Sequence, residues 1–177
     1  MAMTLIKTNA STGATSSDFT SSIDNSYKLY VFKFLDLDPA TNSVEFQFNG
    51  SIDAGSNYNV TKTTTYFSVH HQEDDGDAGL NYRTADDLGQ STDFQILTTA
   101  IGGELDESAA GTMWLFNPSS TVYVKHFYSR FSTNRSTDEM WDTFIGGYFN
   151  TTDNIDAVSF KMSSGAFDGT IAMYGVG

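Results

Sequence analysis

Residues 27–35 (YKLYVFKFL) form the stretch that decides the fold class. Their apolar side chains alternate between two faces with the two-residue period of a β-strand. One face carries Tyr27, Leu29, Val31 and Leu35, and the other carries Tyr30, Phe32 and Phe34. Because both faces are apolar, we predict a central strand that is covered on both sides or by a neighbouring subunit.

Further segments along the chain are short, apolar and bounded by turn residues, as strands are. They lie at 44–48, 61–71, 94–96, 112–116, 121–131, 141–149, 155–162 and 170–176. No segment shows a sustained helical period. We therefore predict an all-β protein, an antiparallel two-sheet β-sandwich of jelly-roll type with about eight or nine strands. A single β-barrel is the alternative.

The N-terminal stretch has a different composition, rich in Ser, Thr, Asn and Gly. We interpret residues 1–24 as an extended arm, or a short edge strand followed by loop, and residues 25–177 as a single β-sandwich domain. Leu5 and Ile6 form a patch that could add a strand to the sheet edge of a neighbouring subunit or shell protein. On this interpretation, deleting residues 1–20 would leave the melting temperature unchanged.

The apolar faces of the strands also predict the core. The predicted core residues are Leu29, Val31, Phe46, Phe67, Trp114, Phe116, Val124, Phe160 and Ile171. If Trp114 is buried among them, replacing it with alanine should cost about 3–5 kcal/mol.

Composition excludes several classes of function. The chain has 22 Asp and Glu against 9 Lys and Arg, for a net charge of −13. Contacts to phosphate need clustered Lys and Arg, so we expect no nucleic-acid partner and no anionic membrane partner. There is no cysteine, which excludes disulfides, thiolate nucleophiles and cysteine-ligated metals.

The acidic loop at residues 72–79 (QEDDGDAG) is the one weak candidate for a cation site. Asp74, Asp75 and Asp77 could offer oxygen ligands to calcium, but the loop lacks the spacing and late glutamate of a calcium-binding loop. We expect no other cofactor. The chain has no G-x-S-x-G motif and no carboxylate pair with a distinctive context, so we predict that it is not an enzyme.

Aromatic strands in a chain with few charges are typical of protein interfaces. The candidate interface residues are Leu5, Ile6, Tyr30, Phe32, Phe34, Tyr123 and Phe127. Ordinary core packing is the alternative for the two aromatic strands.

Several segments together carry a resemblance. They are 30–40 (YVFKFLDLDPA), 46–50 (FQFNG), 115–128 (LFNPSSTVYVKHFY), 147–152 (GYFNTT), 155–165 (IDAVSFKMSSG) and 169–175 (GTIAMYG). This pattern resembles small virion structural proteins of tailed phages that infect marine bacteria, such as cyanophages and pelagiphages. The resemblance covers roughly residues 25–177 and implies a β-sandwich within a virus particle.

The resemblance leads to a functional expectation. We expect a capsid decoration or cement protein, made in the host cytoplasm and placed on the outer head surface. Its partners would be copies of itself, with a trimer favoured, and the major capsid protein or another virion protein. A tail or tail-fibre component that binds host-surface glycans is the alternative, and a polysaccharide-degrading enzyme is a further one.

Overall fold

The computed structural model of the chain describes residues 2–177, and that range contains strands and turns but no helix. Accordingly, no helix in the described range could cross a membrane. The twelve strands are β1 (Met3–Ala14), β2 (Ser17–Phe19), β3 (Leu29–Pro39), β4 (Val44–Ser51), β5 (Lys62–Gln72), β6 (Ala78–Tyr82), β7 (Gln95–Ile101), β8 (Ala109–Phe116), β9 (Lys125–Arg135), β10 (Glu139–Phe149), β11 (Ala157–Met162) and β12 (Phe167–Val176).

The strands pair into a large and a small group, with every neighbouring pair antiparallel. The large group runs β1-β12-β3-β8-β9-β10-β5-β6, and the small group runs β7-β4-β11-β2. The groups join where Ile101 on β7 pairs with Arg135 on β9. At the opposite end, Asn9 Nδ2 on β1 donates to Ser17 Oγ on β2 at 3.1 Å. The result is one sheet that curls into a nearly closed, barrel-like shape.

The all-β, antiparallel prediction is confirmed, but the two-sheet sandwich of eight or nine strands does not match in detail. Twelve strands form one connected sheet. Strands β2 and β6 were not predicted, and β1 was predicted only as a short edge strand, in the alternative interpretation of the N-terminal stretch. Strand β2 has three residues, too few to show a period. Strands β1 and β6 are edge strands with mostly exposed side chains, so they need no apolar face.

Aromatic side chains fill the core between the two groups. Phe34 on β3 lies 5.0 Å from Phe160 on β11 and 5.5 Å from Phe46 on β4, measured between ring centroids. Phe48 on β4 lies 4.9 Å from Phe127 on β9. Most of these pairs are edge-to-face, the arrangement that stabilises aromatic clusters beyond the burial of area.

Four of the nine predicted core residues are buried and five are not. Val31, Phe46, Phe160 and Ile171 are buried as predicted, whereas Leu29, Trp114, Phe116 and Val124 are partly exposed and Phe67 is 40% exposed. On β8 the large buried side chains are Met113 and Leu115. That strand is apolar on both faces, so its period does not indicate which face points inward.

The N-terminal segment differs from the predicted arm. Strand β1 pairs with β12 of the same chain from Met3 to Ala14, and Phe19 on β2 is fully buried. Ile6 packs against the core. The edge-strand alternative therefore describes this segment, with 12 residues in the strand, and the sheet extends across the expected boundary at residue 24. Met1 lies outside the described residues.

Two buried lysines lie at one end of the large group. Lys62 on β5 and Lys125 on β9 both pair in register with Phe149 on β10. The Lys62 amine donates to the carbonyl oxygens of Val60, at 3.1 Å, and Asp93. Burial lowers the pKa of Lys62 to about 7, although the charge of Asp93 opposes the shift. Burial also lowers the pKa of Lys125.

Candidate binding face on the large group of strands

Six adjacent strands of the large group present a continuous outward surface, which we call the aromatic face. It consists of the outward side chains of residues 170–176 on β12, 29–35 on β3, 110–116 on β8, 126–132 on β9, 140–148 on β10 and 63–69 on β5. Neighbouring strands are held in register across the face, since Val31 pairs with Trp114 and Trp114 pairs with Tyr128.

Stacked aromatic rings cross this face. Trp114 stacks on Tyr128 with centroids 4.6 Å apart, and Phe116 lies 5.4 Å from the same tyrosine. One strand further, Phe144 stacks on Phe67 at 4.8 Å with the rings within 6° of parallel. Tyr128 is 47% exposed. The face therefore holds large apolar groups at the surface in fixed orientations.

Charge is scarce on the aromatic face. Its six segments contain three charged residues, Lys33, Arg130 and Asp142. Arg130 Nε donates to both Asp142 carboxylate oxygens, at 2.9 and 3.0 Å, and the guanidinium lies 5.0 Å from the Phe144 ring centroid. The Lys33 amine lies 5.6 Å from the centroid of Tyr174. Aromatic rings and an ion pair thus accommodate all three charges.

A shallow groove of about 500 Å³ crosses the face next to the ion pair. Leu35, Trp114 and Met140 stand around it, and the small residues 110–112 of β8 lie between them. Asp142 is the one carboxylate on this surface, and Arg130 already binds it. The groove can therefore hold apolar and aromatic groups, but it offers no free pair of carboxylates for acid–base chemistry.

The predicted interface residues fall into two sets. Tyr30, Phe32, Phe34 and Phe127 are at most 2% exposed and lie in the core of the chain itself, so the interface interpretation does not hold for these four. The Tyr30 hydroxyl donates to the Asp24 carbonyl oxygen at 3.1 Å, which satisfies it inside the core. Leu5 and Tyr123 are exposed, and Ile6 is half-buried. For these three residues the interface interpretation stays a prediction.

The three acidic loop residues bind different partners. Asp74 accepts a hydrogen bond from the Gly76 amide at 2.8 Å. Asp75 lies 2.9 Å from His71 Nε2, and Asp77 lies 3.2 Å from His70 Nε2. Across residues 2–177, no three His, Asp or Glu side chains form a group that could hold a metal ion. The geometry therefore adds nothing to the calcium prediction.

A second acidic region lies in an open depression of about 570 Å³ beyond one end of the aromatic face. Asp36, Asp38 and Asp168 line it, and Asp168 Oδ1 accepts the Gly13 amide at 2.6 Å. Burial, together with the charge of Asp168, raises the pKa of Asp38. Acidic charge is thus concentrated beside the aromatic face rather than on it.

Sequence reasoning missed the aromatic face because it assigned Phe67, Trp114 and Phe116 to the core. A usable signal was present. Strands β8 and β9 carry large apolar residues on both faces, and only one face of a strand can point into a given core.

No family model matches this chain, and no curated protein matches it.

Proposed function

We propose that this chain is a non-enzymatic structural protein of a phage particle, a decoration protein on the outer surface of the head. The phage resemblance supplies this class of protein, and the aromatic face is the observation that supports a role in assembly. Protein interfaces are enriched in Trp, Tyr, Phe, Met and Arg, with few charged residues at their centre. The aromatic face has this composition in a chain whose net charge is −13.

The residues that dominate binding energy in interfaces are most often Trp, Tyr and Arg near the centre of the contact. Trp114, Tyr128 and Arg130 lie together on two adjacent strands. Their orientations are already fixed by stacking and by the ion pair with Asp142. A partner would therefore bind them with little further loss of side-chain freedom. In the proposed assembly, neighbouring virion subunits cover this face.

The test of this proposal is whether the chain is part of the particle, and in how many copies. Phage particles from a host lysate would be washed at high salt, and the chain quantified by mass spectrometry against the major shell protein. A decoration protein should be present at a copy number comparable with that of the shell protein. Absence from washed particles would overturn the proposal, and a copy number far below that of the shell protein would assign the chain to the tail.

The groove favours a second candidate function, which is glycan binding by a tail component. Trp114 contributes an aromatic ring to its lining, and Lys33 and Arg130 offer donors for hydroxyl groups. A glycan array probed with the wild-type chain and with Trp114→Ala would test this candidate, with Ile52→Ala as a control variant. Binding that is lost only in Trp114→Ala would support it, whereas no binding by the wild-type chain would reject it. Release of reducing ends from a bound polysaccharide would instead identify an enzyme.

A further inference from the structure

We infer that the partner that fits the aromatic face is a second copy of this chain, packed face to face about a two-fold axis. The inference rests on the protein-binding role proposed above for the same face. It names the occupant of the face, which the composition of the surface alone does not.

The distribution of charge is the first argument. The aromatic face contains one acid and two bases, which leaves 21 acids and seven bases on the rest of the chain. Most of these acids lie in the loops between strands, and two copies that approach through the loops bring like charges together, which is unfavourable. Through the aromatic face they bring together two nearly neutral, apolar surfaces. The net charge therefore disfavours self-association through the acidic loops more than through this face.

The size of the face is the second argument. Six strands spaced about 4.8 Å apart span about 29 Å, and seven residues along each strand span about 20 Å. A flat face of this size has an area of about 600 Å² per copy, so a face-to-face pair would bury at most about 1,200 Å², because the sheet curls. Specific interfaces bury roughly 1,200–2,000 Å² in total. The upper limit for one face per copy therefore lies at the lower end of this range.

The symmetry follows from having a single such face. A two-fold contact uses the same surface on both copies, whereas a closed trimer joins two different surfaces on each copy. The second surface of a trimer would have to come from the acidic remainder of the chain. The geometry therefore favours a two-fold pair over the trimer that the phage resemblance favours.

The test uses the full chain and two matched pairs of charge-altering variants. Leu35→Glu places an acid on the face, where Leu35 is 48% exposed, and Ile52→Glu is its control because Ile52 is 43% exposed just beyond β4 in the small group. Lys33→Glu reverses a charge on the face, and Lys161→Glu makes the same change on β11. All four positions lie outside the core, and circular dichroism with urea unfolding would confirm that each variant folds.

Sedimentation equilibrium over a range of chain concentrations gives the readout. We expect the wild-type chain and both controls to reach twice the mass of one chain. In Leu35→Glu and Lys33→Glu the dissociation constant should rise about tenfold or more, because each pair would bring two new acids into the contact. A wild-type chain that stays monomeric, a trimer, or a pair that survives both face variants would overturn the inference.

This outcome is independent of the particle experiment. A pair that the face variants disrupt, in a chain that washed particles lack, would support the inference and reject the virion assignment. A chain that is abundant in particles but monomeric in solution at every concentration would overturn the inference and support the virion assignment.

Discussion

Trp114 on β8 and Tyr128 on β9 pair directly across two strands and stack with ring centroids 4.6 Å apart on the outward side of the sheet. Two large aromatic side chains are therefore held at the surface and away from the core. Such a pair contributes about 0.5–1.5 kcal/mol beyond the burial of area, which is modest beside the cost of exposing both rings. The arrangement is more readily explained by a binding surface than by stability.

The stability cost of removing Trp114 should therefore be small. We expect Trp114→Ala to lower the free energy of unfolding by about 1–2 kcal/mol, from lost stacking and partial burial. Phe46→Ala, which empties a fully buried site, should cost about 3–5 kcal/mol. Urea unfolding of both variants would measure the difference. Equal losses would show that Trp114 behaves as a core residue.

Lys62 should make stability depend on pH. In the unfolded chain Lys62 keeps its proton up to a pKa near 10.5, whereas in the folded chain the pKa is about 7. Folding therefore releases a proton between these values, and the contribution of Lys62 to stability rises with pH from about 7 towards 10.5. The slope is at most about 1.4 kcal/mol per pH unit.

The matched variant is Lys62→Met, whose unbranched side chain is one atom shorter and cannot titrate. Unfolding free energies from pH 6.5 to 9 should rise more steeply in the wild-type chain than in the variant, in which the lowered pKa of Lys125 remains. The readout is the difference in slope between the two pH profiles. The absolute free energies of unfolding are not comparable, because the variant also loses the hydrogen bonds to Val60 and Asp93. Parallel pH profiles for the two proteins would mean that the buried amine keeps an ordinary pKa.

The ion pair between Arg130 and Asp142 should show measurable coupling. The side chain of Asp142 is 9% exposed, and that of Arg130 is 63% exposed. Removing the arginine leaves a nearly buried carboxylate without its cation, so Arg130→Ala should be more destabilising in the wild-type background than in Asp142→Asn. We expect this double-mutant cycle to give a favourable coupling between the two side chains, reduced by solvent screening of the exposed arginine. Additive losses would mean that solvent screens the pair completely.

The N-terminal strands should be required for stability. Deleting residues 2–20 removes β1 and Phe19, which is fully buried and lies 5.4 Å from Phe32 between ring centroids. It also exposes the edge of β12, and open edges favour aggregation. We expect the deletion to lower the melting temperature sharply, whereas the arm interpretation expects no change. Differential scanning calorimetry distinguishes the two.

Strand identity could largely be predicted from the sequence, because the two-residue period is a local property of the chain. The segment at 61–71 and strand β5 (Lys62–Gln72) agree closely, as do 141–149 and β10 (Glu139–Phe149). The predicted segment at 121–131 begins four residues before β9. Its first residues lie in the turn after Pro118. They were predicted as part of the strand because apolar residues in an exposed turn resemble a strand in sequence.

The direction of each face could not be predicted in the same way. Which side of β8 points inward depends on its register with β3 and β9, and those contacts are distant in sequence. The edge strand β1 could be predicted only as an alternative to an arm, because it is held by backbone pairing with β12 and needs few apolar side chains. The candidate site depends on which face of each strand points outward, so four of the interface residues predicted from the sequence lie in the core.

The central claim is that other subunits cover the aromatic face in the assembled particle. Hydroxyl-radical footprinting, read by mass spectrometry, measures this directly by comparing the dilute free chain with the chain in purified particles. Leu35 and Tyr128 on the face, and Ile52 away from it, have comparable exposure in the single chain. The account predicts that labelling of Leu35 and Tyr128 falls in the particle while labelling of Ile52 does not. Labelling of all three residues at the free-chain rate in the particle would contradict it.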